Sequence, residues 1–129
     1  MTELRREIKN WWEQGKNDLK KAKVLFNTQN FDGTAFYCQQ AVEKSLKALI
    51  LFKSKEKKIE GHSLVYLGKQ AKMPDNFFPS LRKLSPQYFI SRYPDVTEEI
   101  PYELYDDIVA KEFLDTAEKV ILRIKKQLE

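Results

Sequence analysis

Apolar positions recur in this chain at intervals of three and four over three long stretches, and no alternating run suggests a strand. The densest stretch is Ala35–Phe52, AFYCQQAVEKSLKALILF, which lacks Gly and Pro. Ala35, Cys38, Val42, Leu46 and Leu49 form one apolar line. Ala41, Ser45, Ala48 and Phe52 form a second, small for three positions and then large. Phe36, Gln40, Glu43, Lys47 and Ile50 form a third, mixed line. A helix apolar on two sides is surrounded by other helices, and the small line lets a neighbour approach closely. At 1.5 Å per residue the segment is about 27 Å long, so a helix continuing to about Ser54 is expected at the centre of the fold.

Residues 3–29 read as a first helix on Leu4, Ile8, Trp11, Gly15, Leu19, Ala22 and Phe26, widened by Trp12 and Leu25. Gly15 marks either a soft point or a place where another backbone comes close. Thr28–Gly33, TQNFDG, is a short turn that makes the first two helices antiparallel neighbours. Asp32 and Thr34 are candidate caps for the second. Lys53–Lys58, KSKEKK, reads as a solvated tip, with phosphate contact as the alternative. His62–Met73 reads as a shorter helix with His62 or Ser63 at its N-cap and Leu64, Leu67 and Ala71 facing inward.

The texture then changes. All five prolines fall in residues 74–101, together with Phe77, Phe78, Tyr88, Phe89 and Tyr93. That is too aromatic for a disordered linker. It predicts a compact connection with short helices near 75–84 and 85–91 and a packed loop over Ser91–Leu104. The last helix is expected from about Tyr105 to Gln127 on Ala110, Leu114, Ala117, Ile121, Ile124 and Leu128. Asp106 or Asp107 lies in its first turn and Arg123, Lys125 and Lys126 in its last, as the helix dipole favours. The expected fold class is all-α: an up-and-down antiparallel four-helix bundle with an extra short helix and a Pro/aromatic-rich loop before the last helix. The 129 residues are read as a single domain, 1–129.

Composition adds limits. A net charge of +4 permits an acidic partner such as a nucleotide or RNA without demanding one. The single cysteine, Cys38, sits in the apolar helix, which excludes an intramolecular disulfide and a Cys-based zinc site and reads as a buried, inert thiol. No apolar run is long enough to span a membrane and the N-terminus shows no signal-peptide pattern, so no membrane association and a cytoplasmic location are expected. One histidine with scattered carboxylates matches no metal-binding motif, and the four isolated glycines form no phosphate-binding loop. Neither metal nor cofactor is assigned.

Three groups remain as candidate chemistry. His62 follows a glycine and opens a helix, where free backbone N–H groups suit a phosphate; its plainer role is a cap or surface residue. In Ser91-Arg92-Tyr93-Pro94-Asp95, Arg92 offers a planar fork for phosphate and Tyr93 a stacking face. Asp95 either orients Arg92 or starts a turn; the plainer reading is a structural loop. Gln39, Gln40, Glu43 and Lys44 form a polar turn in the central helix, either an ordinary polar edge or a buried hydrogen-bond set that fixes register.

Together AFYCQQAVEKSLKALILF, GHSLVYL, FISRYPD and a last helix of the form A-x-x-F-L-x-x-A-x-x-V resemble the HEPN-domain family, named for higher eukaryotes and prokaryotes and associated with nucleotide binding. The resemblance covers nearly the whole chain, with QQAVEKSLKAL its most specific part. It implies an up-and-down helical bundle, commonly a homodimer, encoded beside or fused to a minimal nucleotidyltransferase. Some members are RNA-cutting toxins whose antitoxin is that transferase. The residues it carries over are Gln39, Gln40, Glu43 and Lys44, then His62 and Leu64, then Arg92, Tyr93, Pro94 and Asp95. The RNase branch has an arginine and a histidine with four to six residues between them. Here Thr97, Glu98 and Glu99 stand at that spacing after Arg92, and Lys55, Glu56 and Lys57 stand before His62. The Arg-x4–6-His motif is therefore absent.

Three functions are carried forward. The first is a non-enzymatic module that dimerises through its long helices, binds a nucleotide or RNA at His62, Arg92, Tyr93 and Asp95, and partners with a minimal nucleotidyltransferase in a toxin–antitoxin-like pair. The second is a metal-independent endoribonuclease toxin, for which His62 and Arg92 are the only catalytic candidates. The third is a structural partner domain without ligand.

Overall fold

The computed structural model describes residues 3–54 and 59–129. Among them every regular element is helical. Helix α1 spans Glu3–Asn27 and α2 spans Phe31–Ser54. The turn between them needs one left-handed residue, Gln29 at φ 65°, and is tied by Asn30 N donating to Leu25 O at 2.7 Å. Helix α2 starts four residues before Ala35. Neither expected cap serves: Asp32 lies within the first turn, and the buried Thr34 hydroxyl donates to Ala22 O and Asn30 O, each at 3.3 Å. Gly33 is a contact glycine inside the helix, because a Cβ there would stand 2.8 Å from Leu25 Cδ1.

The close approach expected at Gly15 is present. A Cβ there would lie 2.7 Å from Ser45 Oγ and 3.2 Å from Ala41 O, so the small line of α2 and Gly15 of α1 form one seam. Almost all of α2 is buried. Leu46, Leu49, Leu51 and Val42 have essentially no exposed surface, and burial of each such side chain contributes about 1.5–3 kcal/mol. Cys38 is also fully buried, and that burial pushes its thiol well above the usual range.

The last helix, α7 (Asp107–Leu128), packs along α2 and more loosely against α1. Lys23 pairs with Glu118, while Leu4 and Leu128 line one depression, so α7 runs antiparallel to α1 and parallel to α2. Its N-cap is Asp106, whose side chain accepts from Val109 N at 2.8 Å, and the helix begins two residues inside the expected start.

Between α2 and α7 the chain makes short helices. Helix α3 (Leu64–Gln70) descends beside α2: its entry lies level with Glu43, and Lys53 Nζ donates to Ala71 O at 2.8 Å near its end. Ser63 caps it, accepting from Tyr66 N at 3.2 Å, and Lys72 at φ 58° ends it short of the expected Met73. A 3-10 turn, Asp75–Phe77, leads into α4 (Phe78–Leu84), which returns beside α3 with Leu81 and Phe78 against Gly68. Then come α5 (Gln87–Ile90), α6 (Pro94–Thr97) and a 3-10 turn at Pro101–Leu104. The last two replace the expected loop. Pro79, Pro94 and Pro101 stand in the first turn of their helices, where a missing N–H and a fixed φ are tolerated. The all-α bundle expected from the pattern is thus what forms, with its proline segment more regular than a loop.

Candidate functional site

A chain of polar side chains crosses the middle of the α1–α2 pair and ends at the surface on His62. Asp18 of α1 is 1% exposed and accepts from Gln14 Nε2 at 3.0 Å. It also forms a short ion pair with Lys44 of α2. Lys44 Nζ donates to Gln40 Oε1 at 3.3 Å, and Gln40 Nε2 donates to Gln39 Oε1 at 2.8 Å. Gln39 Nε2 donates to Glu43 Oε1 at 3.3 Å and to His62 O at 3.0 Å. Glu43 contacts His62 Nδ1 through Oε1 at 3.0 Å and Lys47 Nζ through Oε2 at 3.1 Å. Lys47 in turn lies 5.1 Å over the Trp11 ring.

Burying ions costs free energy unless each is paired and hydrogen-bonded, and here Asp18 meets Lys44 and, at 3.8 Å, Lys21, while Glu43 meets Lys47. In the polar turn of the central helix Gln39 and Glu43 are buried and Gln40 and Lys44 part-buried, and hydrogen bonds link all four. The local sequence around His62 explains its placement. Gly61 takes φ +101°, Gln39 holds the His62 carbonyl, and Ser63 begins the next helix.

Beyond His62 the surface is aromatic. The imidazole stacks on Tyr88 with centroids 4.2 Å apart and planes at 17°. Tyr88 meets Phe36 at 6.0 Å and Phe89 at 4.8 Å, and Phe89 meets Tyr93 at 6.3 Å. The Arg92 guanidinium closes the circuit, 4.5 Å over Phe36 and 5.8 Å from Tyr93. An exposed pocket of about 240 Å³ lies where His62 and Ser63 face Ser85, Pro86, Tyr88 and Phe89. Below it, Tyr105 donates to Gln87, and burial raises the Tyr105 phenol.

Of the residues singled out in the sequence, His62, Arg92 and Tyr93 share this surface, with the Gln39–Lys44 turn directly beneath. His62 and Arg92 are linked through two rings, His62 stacking on Tyr88, Tyr88 meeting Phe36, and Arg92 lying over Phe36. Asp95 is exposed in α6, and among the described residues no ion pair joins it to Arg92. Pro94 starts α6, and Leu64 is core. Sequence reasoning missed Phe36, Tyr88, Asp18 and Trp11 as members of the constellation. Phe36 had a signal, since it shares a helical line with Glu43 and Lys47. Asp18 had one too, an acidic residue on the inner face between Gly15 and Ala22. Tyr88 had none, because its partner lies 26 positions away in a segment with no fixed period.

Among the described residues no group of three His, Cys, Asp or Glu is placed to hold a metal ion, and no helix is long and apolar enough to cross a membrane. The family model of the HEPN domain matches residues 8–127. This chain belongs to the HEPN family. Two solved structures carry the same HEPN architecture. TT1696 from Thermus thermophilus superposes with a TM-score of 0.83 at 27% identity, over 92% of this chain and 96% of that one. ST0689, described as an archaeal HEPN homologue, superposes with a TM-score of 0.80 at 32% identity, over 95% and 98%. A Methanocaldococcus jannaschii protein named "Putative toxin MJ1304" is 28% identical, over 91% of this HEPN chain and 85% of its own length.

Proposed function

We propose that this HEPN protein is a toxin-like, nucleotide- or RNA-binding module that dimerises and partners with a minimal nucleotidyltransferase. The observation that carries the binding reading is the surface on which Arg92 and His62 flank Tyr88 and Phe36, with Phe89 and Tyr93 half-exposed beside them. Aromatic faces accept any base, and a nearby guanidinium takes the phosphate between bases. Two basic groups separated by rings suit successive nucleotides of one strand better than joint action on one phosphate. The toxin element rests on the relative's name, and the dimer and transferase partner rest on HEPN membership. The apolar groove between α1 and α7, lined by Leu4, Ile8, Trp12 and Leu128, is a surface of the long helices open to a second copy.

The test is a titration of labelled single-stranded RNA by fluorescence anisotropy across salt concentrations. Arg92→Ala is expected to weaken binding about tenfold at low salt and to flatten the salt slope by about one. Unchanged affinity in that variant removes Arg92 from the site.

One observation favours a second reading, the metal-independent endoribonuclease. His62 is hydrogen-bonded through Nδ1 to the buried Glu43, an arrangement that orients an imidazole for proton transfer. RNA cleavage by the pure protein, lost in His62→Ala, is its signature. Intact RNA across a range of pH sinks it.

A further inference from the structure

Most of the exposed large apolar side chains among the described residues fall into two groups of opposite charge. The first group lies on the segment from Tyr93 to Ile108, where Val96, Ile100, Tyr102 and Ile108 are exposed, Tyr102 at 64% and Ile108 at 74%. Interleaved with them are Asp95, Glu98, Glu99, Glu103, Asp106 and Asp107, and the segment holds no Lys, Arg or His. Asp106 caps α7, and among the described residues no ion pair takes up any of these acids.

The second group lies in the groove between α1 and α7. A depression of about 730 Å³ on Leu4, Ile8, Trp12 and Phe52 runs on into one of about 610 Å³ on Leu19, Ile121 and Leu122, and the two share Trp12 and Lys125. Phe52 is 44% and Leu122 54% exposed. Lys9, Lys119 and Lys125 line the groove, and none of them has an ion pair among the described residues. Two of its acids are already engaged, Asp115 with Lys111 and Glu118 with Lys23, which leaves Glu129. The groove is thus apolar within and basic at its edges. Helix α7 carries both faces, Ile108 in its first turn and Leu122 about 21 Å further along. One rigid helix holds them apart, so they cannot meet within one molecule.

We propose that they meet between molecules: the acidic Tyr93–Ile108 segment of one copy seats in the basic α1–α7 groove of the next. This head-to-tail contact goes beyond the dimer of the reading above and does not depend on it. Exposed apolar patches of this kind mark interaction surfaces, and opposite charge around them fixes register and steers encounter. A twofold contact of groove with groove would set lysines against lysines, whereas the acidic segment neutralises them. A head-to-tail contact leaves one face of each kind free at the ends, so the assembly grows with concentration unless it closes into a ring.

The experiment is sedimentation velocity on the full chain over a range of concentration. The wild-type mass is expected to rise with concentration at about 50 mM salt and to lose most of that rise at about 500 mM. Leu122→Glu spoils the groove and Tyr102→Lys spoils the acidic segment. Both positions are exposed, and Lys125→Glu and Glu99→Lys serve in their place if either variant fails to fold. Each variant alone should lose the growth. Their mixture still holds one intact groove and one intact acidic segment, so it should form one contact and stop at twice the mass of the separate variants. Growth in either variant, growth that salt does not diminish, or a mixture that stays at the mass of its components overturns the inference. A wild type that stays a dimer at every concentration also overturns it and leaves the dimer reading standing. A single-chain mass throughout removes both.

Discussion

At the scale of single residues, absence of a side chain matters as much as presence. Gly15 lets α1 rest on α2 so closely that a Cβ would stand 2.7 Å from Ser45 Oγ and 3.2 Å from the Ala41 carbonyl, and the neighbours would have to give way. Gly15→Ala is expected to lower stability by about 1–3 kcal/mol through overpacking, read as a lower denaturation midpoint with an unchanged slope. Adding Ser45→Ala should recover part of the loss, since Ser45 Oγ is the nearest obstacle. Both glycine and small-residue line were legible in the sequence, because close packing leaves a mark in residue size at helical spacing. His62 and Arg92 were legible as unusual residues but not as neighbours of Tyr88 and Phe36. Ring contacts between a helix and an aperiodic segment are set by where each short turn ends, and no period records that.

At the scale of elements, the long helices followed from their apolar lines and the short ones did not. Proline marks the start of a helix as readily as a loop, and over four-residue pieces there is too little chain to show a period. The start of α2 was misplaced for a related reason. Asn-Phe-Asp-Gly looks like a turn, yet Gly33 is there to clear Leu25, and the helix runs through it. The cap of α3 was legible, and it carries weight because the helix has only seven residues. Ser63→Ala removes the acceptor for Tyr66 N and should cost about 1 kcal/mol. Thermal unfolding should show a midpoint lower by about 3–6 °C.

At the scale of the whole molecule, a buried thiol and a half-buried phenol bear on behaviour in base. Burial raises the Cys38 thiol above its ordinary 9.0 and the Tyr105 phenol above its ordinary 10.0. Each stays protonated in the native state while the unfolded chain ionises. Their contribution is therefore complete below about pH 9 and is lost as pH rises further. The loss should be about 1 kcal/mol per pH unit for Cys38 and less for the half-buried Tyr105. Denaturant midpoints measured from neutral to alkaline pH should fall accordingly, with a shallower fall in Cys38→Ala.

The run of polar contacts from Asp18 through Lys44, Gln40 and Gln39 to Glu43 and His62 also bears on how the molecule opens. Separating α1 from α2 would strand Lys44 beside a vacated position and loosen each acceptor behind it. This turn of the helix pair therefore resists breathing by itself, and amides around Asp18 and Glu43 should exchange with solvent as one cooperative unit. A ligand held at His62 would then slow exchange on α1, a helix it never touches, which makes hydrogen exchange on α1 a remote gauge of occupancy at His62.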